Sequence, residues 1–412
     1  MPNECALHLT DAVLESKRSL TDPIADQVVA QIIESGYEEK INDIFYTLVR
    51  TNGFDGEAFS SLPDPISQLL VNYFDETSHL PSWADPVLIA QGEAVFSEYG
   101  PEISMILNVK SLPLCYACSN GAEVLYMTGR LTERSGSLNP LARRLMETSQ
   151  MIMNALAPGG MSPTGNGIIT IQKVRLIHAS IRYFIQHERY NPKGWNADTL
   201  GKPINQEDLA GTLMSFGPLV LKGLQQMNIE LSDAKIKGYM HAWKVIGYLM
   251  GVEDLFLTDD YAEGWNIGVA IMKHQAKASD HGKELTKACI DFLNSIIPGN
   301  LFDEMPEYMI WYFSQDVSEA IGLDIAAALG VREGDQLRDK VMLKLCDLFF
   351  RDMGKVGDHS KIIFGISCYL NRKVLQGFLH HFNDNKNVRF SIPPSLQDDW
   401  KLNEEITTPY TF

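Results

Sequence analysis

The chain has 412 residues, a formal net charge of -17, and 45% hydrophobic against 21% charged residues. That length buries a large core in one domain or two, and the hydrophobic share excludes a disordered chain. The acidic balance, with a sequence pI near 5.0, argues against binding to nucleic acid or anionic membranes, because both need a basic face.

The first twenty residues, MPNECALHLTDAVLESKRSL, lack a basic segment followed by an apolar one, so no secretion signal is expected. No run reaches the length and apolarity of a membrane span. Six cysteines are scattered along the chain, and only Cys115 and Cys118 are close. One CxxC without a second pair or a histidine cluster reads as two reduced thiols, so a cytoplasmic location is expected. Residues 1–80 look like a helical extension carrying no chemistry, placed before one main domain at 81–412. Helical spacing falls at 13–20, 24–35 and 40–51, broken by Pro23, Gly36 and Asn52-Gly53.

Pro81-Ser82-Trp83 reads as a helix entry, with Ser82 or Asp85 available to cap. The pattern runs to Tyr99 and is punctuated by Gly100-Pro101, and a second helix is expected over 102–109. Ser119-Asn120-Gly121 reads as a turn or helix start, and Gly129 as a break. Residues 139–156 are helical, with Asn139 as cap and Pro140 at the first position. Arg144, Glu147 and Thr148 share a face there, either as a surface pair or as a polar cluster aimed into a pocket. The glycine-rich run 157–167 lacks the GK[ST] of a phosphate loop and reads as a turn.

The next stretch, KVRLIHASIRYFI at 173–185, carries Arg175, His178 and Arg182 in one helical stripe. Two guanidinium groups on an apolar face need anionic partners. Two readings meet that need. In one, His178 is a neutral metal ligand beside a carboxylate-bearing cofactor such as haem, whose propionates suit arginine forks. In the other, His178 is a core residue and both arginines pair with Asp or Glu elsewhere in the fold. The stripe alone favours the second.

Pro203 to Asp208 starts a helix with acidic residues in its first turn, which suits the helix dipole. Further helices are expected at 232–250, capped by Ser232 and ended by Gly251, and at 261–278, 283–297, 306–323, 335–352 and 361–382. Strand-like alternation is nearly absent, so the fold class is all-α.

Several pieces, taken in order, resemble the DUF2236 family: TGRL at 128–131, Arg144-xxx-Thr148, Arg175-xx-His178-xxx-Arg182, PINQEDLA at 203–210, HAWKVIGYLMGV at 241–252 and RFSIP at 389–393. That family includes latex-clearing rubber oxygenases and the fungal oxygenase of mycophenolic acid biosynthesis. The resemblance runs from about Pro81 to Trp400. It implies a globin-like helical core with additional helices around one b-type haem. His178 matches the proximal iron ligand. Arg175 and Arg182 match the flanking cofactor-binding arginines, and Arg144 and Thr148 match residues lining the oxygen side.

The implied activity is a haem-dependent oxygenase using O₂ on an alkene or isoprenoid-like apolar small molecule, with Glu147 as a base. The other readings are a non-catalytic haem or gas-binding protein and a helical lipid binder without haem. Two departures from the rubber oxygenases stand out. Their lysine beside the distal threonine is Glu147 here. Their catalytic acid before the distal arginine has no clear counterpart: Thr128 stands near that spacing, and Glu133 reaches it only if the loop shifts. With no secretion signal expected, these departures argue against a polymeric substrate.

Overall fold

Two long helices crossing through glycine organise the fold. The computed structural model describes residues 9–37, 59–60, 62–132, 140–227, 229–296 and 305–331; the side chains of 129–132, 140–147, 295–296 and 305 lie outside that description. The chain begins with α1 (Asp11–Lys17), α2 (Pro23–Ile32, continued by a π turn to Tyr37) and α3 (Asp64–Glu76). The long α4 (Pro86–Ile106) passes through a π turn, Leu107–Ser111, into α5 (Leu112–Ala117) and then α6 (Ser119–Thr132). Next come α7 (Pro140–Leu156), α8 (Gly167–Gln186), the short α9 (Ala197–Leu200), α10 (Gln206–Phe216) and α11 (Pro218–Gln226). The chain continues with α12 (Asp233–Leu249), α13 (Tyr261–Gln275), α14 (Asp280–Ile296), α15 (Met305–Ile321) and α16 (Ile325–Ala328). Among the described residues there is no strand, only one isolated bridge between Cys118 and Ala276. The fold is all-α. No helix among those residues is long and apolar enough to cross a membrane.

α4 and α12 run antiparallel. The Asp85 backbone N–H donates to His241, Gly92 lies against Gly238, and Glu98 pairs with Lys235. A Cβ on Gly92 would sit 2.6 Å from both the Gly238 carbonyl oxygen and the Ala242 Cβ. Only a bare Cα admits this approach, which lets the flanking side chains interlock around the crossing.

The helix α8 lies between two cores. The larger gathers α4 to α7 and α10 to α16. The smaller packs Val28 and Val29 of α2 and Leu70, Tyr73 and Phe74 of α3 onto Ile169, Leu176 and Ala179 of α8. Apolar surface on both sides explains why this helix is rich in isoleucine around most of its circumference.

The expected break at Gly100-Pro101 is a kink instead. Tyr99 leaves helical geometry (φ -120°) and Pro101 sits inside the helix. Proline removes one N–H and crowds the preceding turn, which bends a helix held on all sides rather than ending it. Helix α3 was not among the expected segments, although Ile66, Leu70, Tyr73 and Phe74 are buried at helical spacing. The expected helices at 40–51, 335–352 and 361–382, and the RFSIP motif, lie outside the described residues.

Candidate functional site

A cavity of about 320 Å³ opens between α5, α6, α7, α8, α10, α12 and α13. Its wall is mostly apolar, with Leu125, Met151, Leu213, Phe216, Ile246 and Met272 among the lining residues. From α8 it takes Val174, Ile177, His178 and Ile181, spaced i, i+3, i+4 and i+7 on one helical stripe.

His178 stands at the edge of that stripe. At about 100° per residue, Val174 and Ile181 lie roughly 40–60° to one side of it, and Arg175 and Arg182 roughly 40–60° to the other. Among the described residues no hydrogen bond engages its ring. Burial pushes its pKa down to about 4, the Arg182 charge adds to that, and Asp22 opposes it. The imidazole is therefore neutral at pH 7, with lone-pair nitrogen available in an apolar space.

The two arginines turn to α2 and do not line the cavity. Asp22, the N-cap of α2, takes a fork from Arg175: Nε donates to Oδ2, and Nη2 donates to Oδ1 at 2.8 Å. Arg175 Nη1 donates to the Leu249 carbonyl at 3.3 Å. Arg182 Nε donates to Asp26 Oδ1 at 2.6 Å and its Nη1 to the Ile204 carbonyl at 3.2 Å, while Nη2 is buried without a partner among the described residues.

Of the polar cluster expected on α7, Thr148 lines the cavity. The side chains of Arg144 and Glu147 lie outside the described residues. Thr128 of α6 also lines the cavity, its hydroxyl donating back to the Val124 carbonyl at 2.9 Å. Glu133 lies outside the described residues.

The sequence reading missed the polar end of this cavity. Glu207 and Asp208 of α10 both line it, and both sit in the PINQEDLA motif, where their acidity was credited only to the helix dipole. The turn before them is unusual: Ile204 has φ 50°, a left-handed conformation that costs a β-branched residue on the order of 1–3 kcal/mol. Arg182 holds its carbonyl, and a capping box between Asn205 and Asp208 starts the helix immediately after. This fixes the carboxyls at the cavity rim.

Glu207 is fully buried and takes Arg18 Nη1 at 3.2 Å, Gln275 Nε2 at 2.6 Å and His274 Nδ1 at 2.7 Å. Burial raises the Asp208 pKa to about 6, with Arg18 opposing and Glu207 adding. Cys115 and Cys118 line the same wall as free thiols, each pushed up by burial. Arg18, Asp22 and Asp26 come from the segment read as an extension without chemistry. Their sequence carries no sign of the role, since each acts through a partner more than 150 positions away.

This wall, from α5 onward, coincides with a known family. The model for "ER-bound oxygenase mpaB/B'/Rubber oxygenase, catalytic domain" matches residues 113–344, more than half of the chain. The chain belongs to this family. The mpaB/rubber oxygenase match spans α5 to α16 and includes His178, Thr148, Glu207 and Asp208, whereas α1 to α4 precede it. The chain is 20% identical over 308 residues to the rubber oxygenase of Streptomyces sp. (strain K30), covering 73% of this chain and 70% of that one. It shares its fold with the solved latex clearing protein LCP in the closed state, at a TM-score of 0.68 and 16% identity over 92% of this chain and 95% of the other. The oxygenase catalytic domain thus accounts for the cavity.

Proposed function

We propose that this member of the mpaB/rubber oxygenase family is a haem b-dependent oxygenase that uses O₂ on an alkene or isoprenoid-like apolar small molecule. The observation that carries this reading is His178: a neutral imidazole with no hydrogen-bond partner among the described residues, opening onto an apolar cavity inside an oxygenase domain. The donor set fits a haem through that single axial nitrogen. It fits the propionates less simply, because Arg175 is already committed to Asp22 by both prongs. Arg182 does not line the cavity either, but its Nη2 has no hydrogen-bond partner among the described residues, so it is the better candidate of the two for a propionate contact.

When bound, haem would supply the activation of dioxygen. The protein's own part is to hold the ligand, orient it and keep water out. Leu125, Ile177, Leu213 and Met272 give the cavity an apolar wall for a hydrocarbon body. Thr148 offers one hydroxyl on the α7 side, and positions 144 and 147 lie on the same helix. Asp208 gives a carboxyl that changes protonation near neutral pH. Purification with haem supplementation, followed by an absorption spectrum and oxygen uptake with alkene substrates, tests the proposal. A haem band and substrate-dependent uptake are expected. A colourless protein refutes the haem, and a coloured one without uptake on any alkene refutes the oxygenase reading in favour of gas binding.

A further inference from the structure

The buried end of the cavity is wired to the surface. Glu207 divides its two oxygens between different kinds of partner. Oε2 accepts from Arg18 Nη1 at 3.2 Å and Gln275 Nε2 at 2.6 Å. Neither group releases a proton in ordinary conditions, since a guanidinium stays charged and an amide does not titrate. Among the described residues Oε1 meets only His274 Nδ1, at 2.7 Å. The other nitrogen of that ring, Nε2, stands 3.5 Å from Glu15 Oε2, and the Glu15 side chain is 63% exposed. A carboxylate, an imidazole and a second carboxylate thus lead in sequence from the cavity wall to solvent.

The rest of the surroundings supports conduction over mere charge balance. The groups facing Glu207 and Asp208 are Arg18 from the cap of α1, His274 and Gln275 from α13, and the thiols Cys115 and Cys118 from α5 and its cap, while Glu15 of α1 meets His274 from the solvent side. Arg18 and Gln275 also reach Asp208 Oδ1, at 3.6 and 3.5 Å. One guanidinium therefore serves two carboxyls, which leaves room for one proton shared between them. That proton must come from somewhere, and the cavity wall is otherwise largely apolar.

We infer that Glu15, His274 and Glu207 form a proton path between solvent and the cavity, and that it keeps Asp208 in protonation equilibrium with the outside. Each step is a proton transfer without change of oxidation state. A proton arriving at Glu15 passes to Nε2 of the His274 ring. The ring then releases its Nδ1 proton to Glu207 Oε1, and Glu207 gives it to the adjacent Asp208 or to a ligand in the cavity. The imidazole regains its first tautomer by turning over or by the reverse exchange. His274 and Glu207 are positioning and relay groups; Asp208 is the group that meets the ligand.

The inference rests on the oxygenase reading only for the ligand that Asp208 meets, and its test requires no turnover. The carbonyl stretch of a protonated carboxyl shifts when its proton is replaced by deuterium. The band is assigned to Asp208 by its loss in Asp208→Asn, and its exchange is followed by rapid-mixing infrared spectroscopy after transfer of the purified full chain into D₂O. His274→Ala and His274→Gln should both slow that exchange at least tenfold. Glu15→Gln should slow it less, because His274 itself touches solvent. The glutamine variant separates the readings, since its amide can still donate to Glu207 but cannot relay. Wild-type exchange in His274→Gln would overturn the path and reduce His274 to a structural hydrogen bond. Loss of oxygen uptake with normal exchange would count against the oxygenase reading alone.

Discussion

Arg175 and Asp22 join the site helix to a helix that lies outside the family-matched segment. The pair is buried, with side-chain exposures of 9% and 2%, and Asp22 also caps α2 by accepting from Ala25 N–H. Removing one partner strands the other charge away from water. Arg175→Ala should therefore cost about 3–5 kcal/mol of stability, measured by denaturant unfolding at neutral pH. Arg175→Lys should lose part of that through loss of the fork. A loss below about 1 kcal/mol in the alanine variant, the scale of a surface pair, would mean the pair is not structural.

His178→Ala should abolish or strongly reduce haem retention while leaving the fold intact, since among the described residues the ring bonds to no other side chain. Haem content by extraction and the absorption spectrum check this. Full haem content with an unchanged spectrum would remove His178 as the axial ligand. Arg182→Lys should loosen haem without matching that loss, since Lys offers a single point of contact in place of a planar fork.

How far these residues could be read beforehand varies with how local their partners are. The helical pattern follows from spacing within one segment and was visible, whereas the spacing around His178 alone favoured a core histidine. The stripe of Arg175, His178 and Arg182 was also correct as a stripe, but it hid a division: the histidine borders the cavity while both arginines turn to α2. That division depends on Asp22 and Asp26, which no local pattern connects to α8. The close crossing at Gly92 and Gly238 was equally invisible, because a glycine inside a helix signals a near neighbour without naming it. Glu207 and Asp208 were in plain view and were misassigned, since a first-turn acid serves a helix dipole whether or not it also faces a cavity.

Gly92→Ala tests the crossing. The new methyl would meet backbone and a short side chain, neither of which can swing away. Destabilisation of about 1–3 kcal/mol is expected from overpacking, despite the gain in helix propensity that this exchange normally brings. An unfolding midpoint equal to or above wild type would show that α4 and α12 do not approach as closely as described.

Asp208 gives a pH dependence of definite sign. Its folded pKa is raised to about 6 from an ordinary value of 3.8, first by burial. A raised carboxyl contributes stability at acid pH that is lost as pH rises through the folded value, because the folded state then holds a charge it solvates poorly. Relative to Asp208→Asn, the wild type should therefore lose stability between pH 4 and pH 7. His178 acts in the opposite sense. Its folded pKa is depressed to about 4 by burial, so its contribution is lost as pH falls from about 6.5 toward 4. The wild-type curve should look flatter in this window than that of either single variant. Parallel curves for wild type and Asp208→Asn would show that the carboxyl ionises as it does in water.

The oxygen side of the cavity offers the last test. Thr148 lines it from α7, and Met151 does so one turn later. At about 100° per residue, position 144 falls about 40° from position 148 and about 20° from position 151, whereas position 147 falls about 100° from 148. Arg144 therefore occupies the middle of the cavity-facing stripe and Glu147 its margin. Thr148→Val keeps shape and removes one hydroxyl, so oxygen turnover should fall about 10- to 100-fold with haem content unchanged. Arg144→Ala should lower turnover at least as much. Glu147→Gln should have the smallest effect of the three on turnover. With Glu147 in place of a lysine, the ferrous protein should show a high-spin, five-coordinate spectrum, since a carboxylate binds ferrous iron poorly. Turnover in Glu147→Gln below that of Arg144→Ala would reverse the ordering and make Glu147 the principal base. A six-coordinate low-spin ferrous spectrum would mean that the distal side is closed.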